Sequence, residues 1–330
     1  GACRGVVARH IPTGQFEAFE GQAMFFGTGG YGQVYARSTN TLINSGAGMA
    51  VAYHAGVPLK DMEFVQFHPT SLIGSNILIT EAARGEGGYL VNARGDRFMK
   101  NYTPKVMELA PRDMVSRAIQ TEINEGRGFE NSYVHLDLRH LGAQKILERL
   151  PEIRDHCIHF VGVDPIKQPI PIQPGQHYSM GGIDCNSDGE TPLPGFFAAG
   201  ECSCVSVHGS NRLGGNSLLE TIVFGKRSGE KLVQYVKGKQ FRPQNEAPFN
   251  EALSKARAGV DALFQGSGKE EPAAIRTEMK QVMFAKVGVF REVKSMGEAV
   301  AKVKELQERC RRLRPIKGGK VFNLDLVRSY

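Results

Sequence analysis

The stretch Gly200–Glu220 constrains this chain more than any other. A short apolar run, Phe196 to Ala199, reads as a buried strand that Gly200 and Glu201 bring to an end. The chain then runs through His208-Gly209-Ser210-Asn211-Arg212-Leu213-Gly214-Gly215, and Asn216-Ser217 opens an apolar helical run. A strand must therefore hand over to a helix through a glycine-rich loop that carries one cation. Such a loop exposes free backbone N–H groups at the positive end of a helix dipole. That terminus suits an anion, or a ring that becomes anionic when reduced. Arg212 adds a planar fork of donors matched to a carboxylate. Taken alone, the motif is equally a tight strand–helix turn with a surface Arg.

At 330 residues the chain can hold two or more domains and a sizeable core. No apolar run approaches the ~20 residues a membrane helix needs, so a membrane role is expected to go through a partner. Lys and Arg (41) exceed Asp and Glu (34), a net charge of +7 that favours acidic partners, whether nucleic acid, anionic lipid or small carboxylates. The one dense basic run, Arg311-Arg312-Leu313-Arg314, comes without a binding motif, so no nucleic acid is expected. The six cysteines form no Cys-x-x-Cys pair and no metal spacing with the histidines. They read as reduced thiols, with no metal site.

Taken in order, residues 1–26 predict a β-hairpin about a Pro-Thr-Gly turn, then a buried strand, Ala23–Phe26, closed by Gly27-Thr28-Gly29-Gly30. A small helical run follows at Gly46–Ala52. Phe64–Thr70 reads as a strand ended by Pro69, and Ile77–Glu81 as another. Glu81 and Arg84, three apart, can share one face of a turn. Arg112-Asp113 opens a helix with Val115, Ile119 and Ile123 as its apolar stripe. Asp113 suits the first turn of a helix. Arg112 does not, and is either a surface residue or present for another reason. One helix is expected over 141–160, a Pro-rich connector over 165–174, and a polar loop from Gln176 to Gly182. Helices are expected at 246–264, 272–284 and 294–313.

Together these segments resemble the flavoprotein subunit of succinate dehydrogenase and fumarate reductase. The matching runs are Phe67-His68-Pro69-Thr70, Thr80–Gly88, Arg112-Asp113, His177–Gly182, Gly200-Glu201 and His208–Ser217, in the family's order over nearly the whole chain. Met180 and Gly214-Gly215 separate it from L-aspartate oxidase, the alternative on this scaffold; adenylylsulfate reductase is a more distant cousin. The resemblance implies an α/β fold: a remnant of a Rossmann-like FAD-binding domain (1–63 and 176–238), an inserted α+β capping domain (64–175) and a partial C-terminal helical domain (239–330). It also implies that the Gly-x-Gly-x-x-Gly strand–turn–helix of the dinucleotide half is missing, making the chain an internal fragment, with an inactive partner-binding piece as the second reading. Ala47 stands where some members carry an Asp that contacts the cofactor.

The resemblance implies FAD as cofactor, contacted by Glu201, Ser217 and Leu218. It implies interconversion of succinate and fumarate, with His177 and Arg212 holding one carboxylate and His68 and Thr80 the other. Arg112 would be the proton donor or acceptor. An arginine is a poor acid in water, so Arg112 needs closeness to substrate and a relay, for which Glu81 and Arg84 have the spacing. Complete relatives pass electrons to an iron–sulfur subunit, a membrane anchor and quinone, which implies a peripheral place on the cytoplasmic face of the inner membrane.

Overall fold

The computed structural model describes residues 1–239, 246–265, 267–319, 321 and 323. It opens with the antiparallel hairpin Gly5–Arg9 and Phe16–Glu20, against which the helix Ala247–Gln265 packs. Met24–Phe26 pairs in parallel with Phe196–Ala198, and Phe26 meets Phe196 edge-on at 4.7 Å. A three-stranded sheet joins Leu59–Lys60, Gly182–Asp184 and Ser203–Cys204. Segments from both ends of the first 204 residues thus share one core: Tyr31, Met49, Val57 and Phe67 pack with Ile183, Phe196 and Cys202.

Between them lies an antiparallel four-stranded sheet, ordered Val65–Leu72, Ile170–Ser179, Val134–Asp137, Tyr89–Val91. The helix Arg112–Asn124 packs on it, and its stripe of Val115, Ile119 and Ile123 is buried. These side chains join Leu72, Phe98, Leu136, Ile146 and Ile170 in a separate apolar cluster that draws only on residues 72–172. Each such buried side chain contributes about 1.5–3 kcal/mol of transfer free energy.

Several expectations are corrected. The strand Val65–Leu72 does not stop at Pro69; it continues through a register shift between His68 and Ser71. A bulge leaves a residue unpaired, so the missing proline N–H breaks no ladder. Ile77–Glu81 is no strand: Leu78 makes an isolated bridge to Ser71, and Glu81 begins the short helix Ala82–Gly85. The helix expected over 141–160 is two, Ala143–Arg149 and Pro151–Val161, because Pro151 cannot continue the first and starts the second. The connector and polar loop are largely one strand, Ile170–Ser179, so His177 sits on a strand. The C-terminal helices are Ala247–Gln265, Pro272–Lys286 and Val293–Cys310, the last ending before the basic run.

Candidate active site

Six segments converge beside the start of the long helix Asn216–Val236. Its N-cap, Gly215, has φ 82°, a left-handed conformation that glycine adopts without strain. The preceding Gly214 lies so close to the next group of side chains that a methyl there would stand 3.2 Å from both Arg112 Nη2 and Glu81 Oε2. Arg112 joins Glu81 and Arg84, which lie about thirty residues before it in the sequence, in one row. Arg112 Nη2 donates to Glu81 Oε2 at 3.0 Å, and Arg84 Nη2 donates to Glu81 Oε1 at 3.1 Å. Arg84 is only 1% exposed; its Nη1 donates to the Glu108 carbonyl, and its Nε is buried without a partner among the described residues. Burial pushes the Glu81 carboxyl up, but the hydrogen bond and charge of Arg112, with those of Arg84, outweigh it and hold the group below its usual range. A carboxylate thus sits between two guanidiniums, which is the geometry a proton relay needs.

The second group is His68, His177 and Arg212. His68 is fully buried on Val65–Leu72, and the neighbouring strand carries His177, with ring centroids 5.0 Å apart at 64°. Thr70 fixes His68 through Nδ1 at 3.3 Å, leaving Nε2 buried and without a partner among the described residues. Thr39 Oγ1 meets His177 Nδ1 at 2.8 Å. Burial drives the His68 imidazole well below its ordinary range, helped by the neighbouring His177 and Arg112. Burial, then Arg212 and Arg112, lowers His177 to about 3. Both rings are neutral near pH 7 and act as hydrogen-bonding groups rather than cations. Arg212 is 3% exposed, and burial and the nearby Arg112 depress it; its Nε has no partner among the described residues. Desolvated cations and unpaired buried nitrogens at one place favour an anionic ligand. Thr80 lies on the exposed turn next to Glu81, and its side chain is not drawn into this group.

The third group faces the helix start. Glu201 Oε1 accepts from the Ser179 amide at 2.8 Å, and a methyl on Gly30 would stand 2.3 Å from that oxygen. Burial raises the Glu201 carboxyl to about 7. Ser217 is half-buried at the helix start, and Leu218 is 71% exposed; Leu213 and Val207, on the loop before the helix, are exposed too. An open apolar surface, a positive helix terminus and a buried carboxyl suit a flat heterocycle with a polyol chain. The residues present therefore fit a flavin.

Sequence reasoning missed the residues that tie these groups together. Gln66 accepts from Arg112 Nη1 at 3.4 Å and donates to the Arg212 carbonyl at 2.6 Å. Its only signal was the alternation that puts it on the same strand face as His68. Asn211 donates to Asp113 Oδ1 at 2.9 Å, joining the glycine loop to the helix that bears Arg112. Tyr178 and Glu220, beneath Arg212, lay within the stretches singled out in the sequence but were given no role of their own.

Fold and site together define a flavoprotein. Residues 1–218 match the FAD binding domain family, and residues 276–330 match the fumarate reductase flavoprotein C-terminal family. The chain is 44% identical over 341 residues to a fumarate reductase flavoprotein subunit of Proteus vulgaris, covering 99% of this chain and 57% of that one. It is 41% identical to a succinate dehydrogenase flavoprotein subunit of Rickettsia bellii, covering 100% and 57%. Among solved structures, a variant of E. coli quinol fumarate reductase superposes with TM-score 0.93 at 42% identity, over 99% of this chain and 58% of that one. An adenosine-5-phosphosulfate reductase, at 17% identity and TM-score 0.73, shares the fold alone. The chain belongs to the FAD binding domain family, among the flavoprotein subunits of fumarate reductase and succinate dehydrogenase, and FAD is its cofactor. It spans a little over half the length of the curated relatives it matches.

Proposed function

We propose that this chain carries the dicarboxylate site of a flavoprotein that interconverts succinate and fumarate. One observation carries the reading: Arg112 and Arg212, with the neutral imidazoles of His68 and His177, converge from separate elements with buried nitrogens left unpaired, while Glu81 joins Arg112 to Arg84. A small diacid satisfies those donors at both of its ends.

FAD, when bound, supplies or accepts the hydride. Glu201 would hold its polyol chain, and the helix start at Ser217 and Leu218 would face the ring with backbone N–H groups. Arg212 and His177 hold one carboxylate; His68 holds the other. Polarising the diacid makes its double bond electrophilic. Reduction to succinate adds one hydride and one proton across that bond. Arg112 gives the proton to the second carbon, Glu81 returns one to Arg112, and Arg84 resupplies Glu81. In the oxidative direction the same row runs backwards.

The domain division proposed is 1–63 with 176–238, 64–175 and 239–330; the apolar cluster drawn only from residues 72–172 supports the middle unit, while the other cluster also takes in Val65 and Phe67. The partners proposed are an iron–sulfur subunit and a membrane anchor, with quinone as the final electron carrier and a peripheral place on the cytoplasmic membrane face. Relatives named as flavoprotein subunits support this, and among the described residues no helix is long and apolar enough to cross a membrane. In the flavin-loaded protein, Arg112→Ala abolishes fumarate-driven reoxidation while the flavin spectrum is kept. Retained turnover removes Arg112 from its role.

A further inference from the structure

Arg112 and Arg212 are both desolvated guanidiniums, yet their charges are met differently. Arg112 is compensated by direct contact with the Glu81 carboxylate. Among the described residues Arg212 makes no hydrogen bond or ion pair with a carboxylate. Its Nη1 donates to the Leu213 carbonyl at 3.1 Å, and its guanidinium carbon lies 4.4 Å from the centroid of the Tyr178 ring. The hydroxyl of Tyr178 donates to Glu220 Oε2, and the same oxygen meets His208 Nε2 at 2.9 Å. Glu220 is 6% exposed, and no Lys or Arg makes an ion pair with it among the described residues. A buried carboxylate without a guanidinium or ammonium partner is costly to keep. Its position explains its retention, because it lies behind the aromatic face on which a depressed cation rests.

The geometry points to Glu220 and Tyr178 as positioning residues for Arg212, a relay of charge through an aromatic ring. A phenol that donates to a carboxylate carries more electron density on its ring, which strengthens attraction to a cation above it. Burial and the Glu220 charge push Tyr178 up, so it remains the donor. The negative charge of Glu220 therefore offsets the burial of Arg212 without occupying any of its N–H groups. Apart from the Nη1 bond to the Leu213 carbonyl the fork is left for a ligand, and its buried Nε has no partner among the described residues. Direct pairing, as at Arg112, would consume donors that a substrate carboxylate needs. Tyr178 also fixes the plane of the guanidinium, and the ring of His208 meets Tyr178 edge-on at 5.8 Å to hold that plane.

This inference rests on the reading that Arg212 holds a carboxylate of the substrate, so the test includes Arg212→Lys. Steady-state fumarate reduction is measured in the holoenzyme for Tyr178→Phe, Glu220→Gln and Glu220→Asp. The first two raise KM for fumarate about tenfold, the size of one strengthened cation–π contact, with kcat within about twofold. Glu220→Asp, which keeps the charge, recovers most of the affinity. A lowered melting temperature with unchanged KM in these variants gives them a merely structural role and overturns the inference. If Glu220→Gln does not fold, Tyr178→Phe decides: its KM rises or the inference fails. If Arg212→Lys raises KM while Tyr178→Phe and Glu220→Gln leave it alone, only the positioning inference fails. If Arg212→Lys itself leaves KM unchanged, the carboxylate-binding reading fails with it.

Discussion

The two faces of this site are built on opposite plans. On one, Arg84, His68 and Arg212 are buried, and Arg112 is nearly so, each held by a neighbour and each oriented before any ligand arrives. On the other, Gly214, Gly215, Leu213 and Leu218 stand open at the start of a helix. The closed face carries fixed charges, whose value depends on low dielectric and on not having to reorganise. The open face offers backbone donors and apolar surface to a ring too large to be wrapped by side chains from one loop. The contrast separates chemistry that this chain's own residues perform from chemistry the cofactor brings.

Substitutions can break or sharpen that contrast. The largest effect is expected on the closed face, at the relay. Glu81→Gln keeps a hydrogen-bonding shape between Arg112 and Arg84 but removes the carboxylate, and should lower kcat for fumarate reduction about 10²–10³-fold with little change in KM. A rise in KM alone would show Glu81 to be a binding group. A smaller effect is expected at His177. Its imidazole is already neutral, its pKa held at about 3 by burial and the two arginines. His177→Gln should therefore cost about tenfold in KM, the loss of one hydrogen bond to a charged group, with no shift in the pH profile between about 5 and 8. A profile that loses an ionisation on this change would show that His177 works as a cation.

The smallest effect falls at the open face. Burial raises the folded-state Glu201 carboxyl to about 7, above its unfolded value of 4.5. The stability it contributes is fully present below about 4.5 and is lost as pH rises through about 7. Glu201→Gln should flatten that part of the stability curve in the cofactor-free protein, by a few degrees in Tm across the window. Melting curves taken from pH 4.5 to 7 check this; an unchanged slope would mean the carboxyl is not desolvated.

What could be read from the sequence follows the same division. The helix at Arg112 was legible because Val115, Ile119 and Ile123 repeat at the helical period. The strand Phe196–Ala198 and the helix after Gly215 were legible because an apolar run and a glycine pair mark their ends. His177 was misplaced on a loop because Pro171, Pro174 and Gly175 read as breakers, whereas the neighbouring strands hold that segment in a bulged ladder. Thr80 was paired with His68 by resemblance, and the structure leaves its side chain exposed just before the helix Ala82–Gly85. Gln66 and Glu220 were invisible. Their roles exist only once distant segments meet, and a single polar residue in a strand or helix gives no periodic signal.

Rapid-mixing reoxidation of the reduced, flavin-loaded protein by fumarate, compared for Arg112→Lys and Arg212→Lys over a range of fumarate concentrations, tests the central claim most directly. The division of labour proposed here predicts that Arg112→Lys loses the saturating rate at nearly unchanged half-saturation, while Arg212→Lys shifts half-saturation upward and approaches the parental rate. Equal losses of saturating rate in both variants would contradict it.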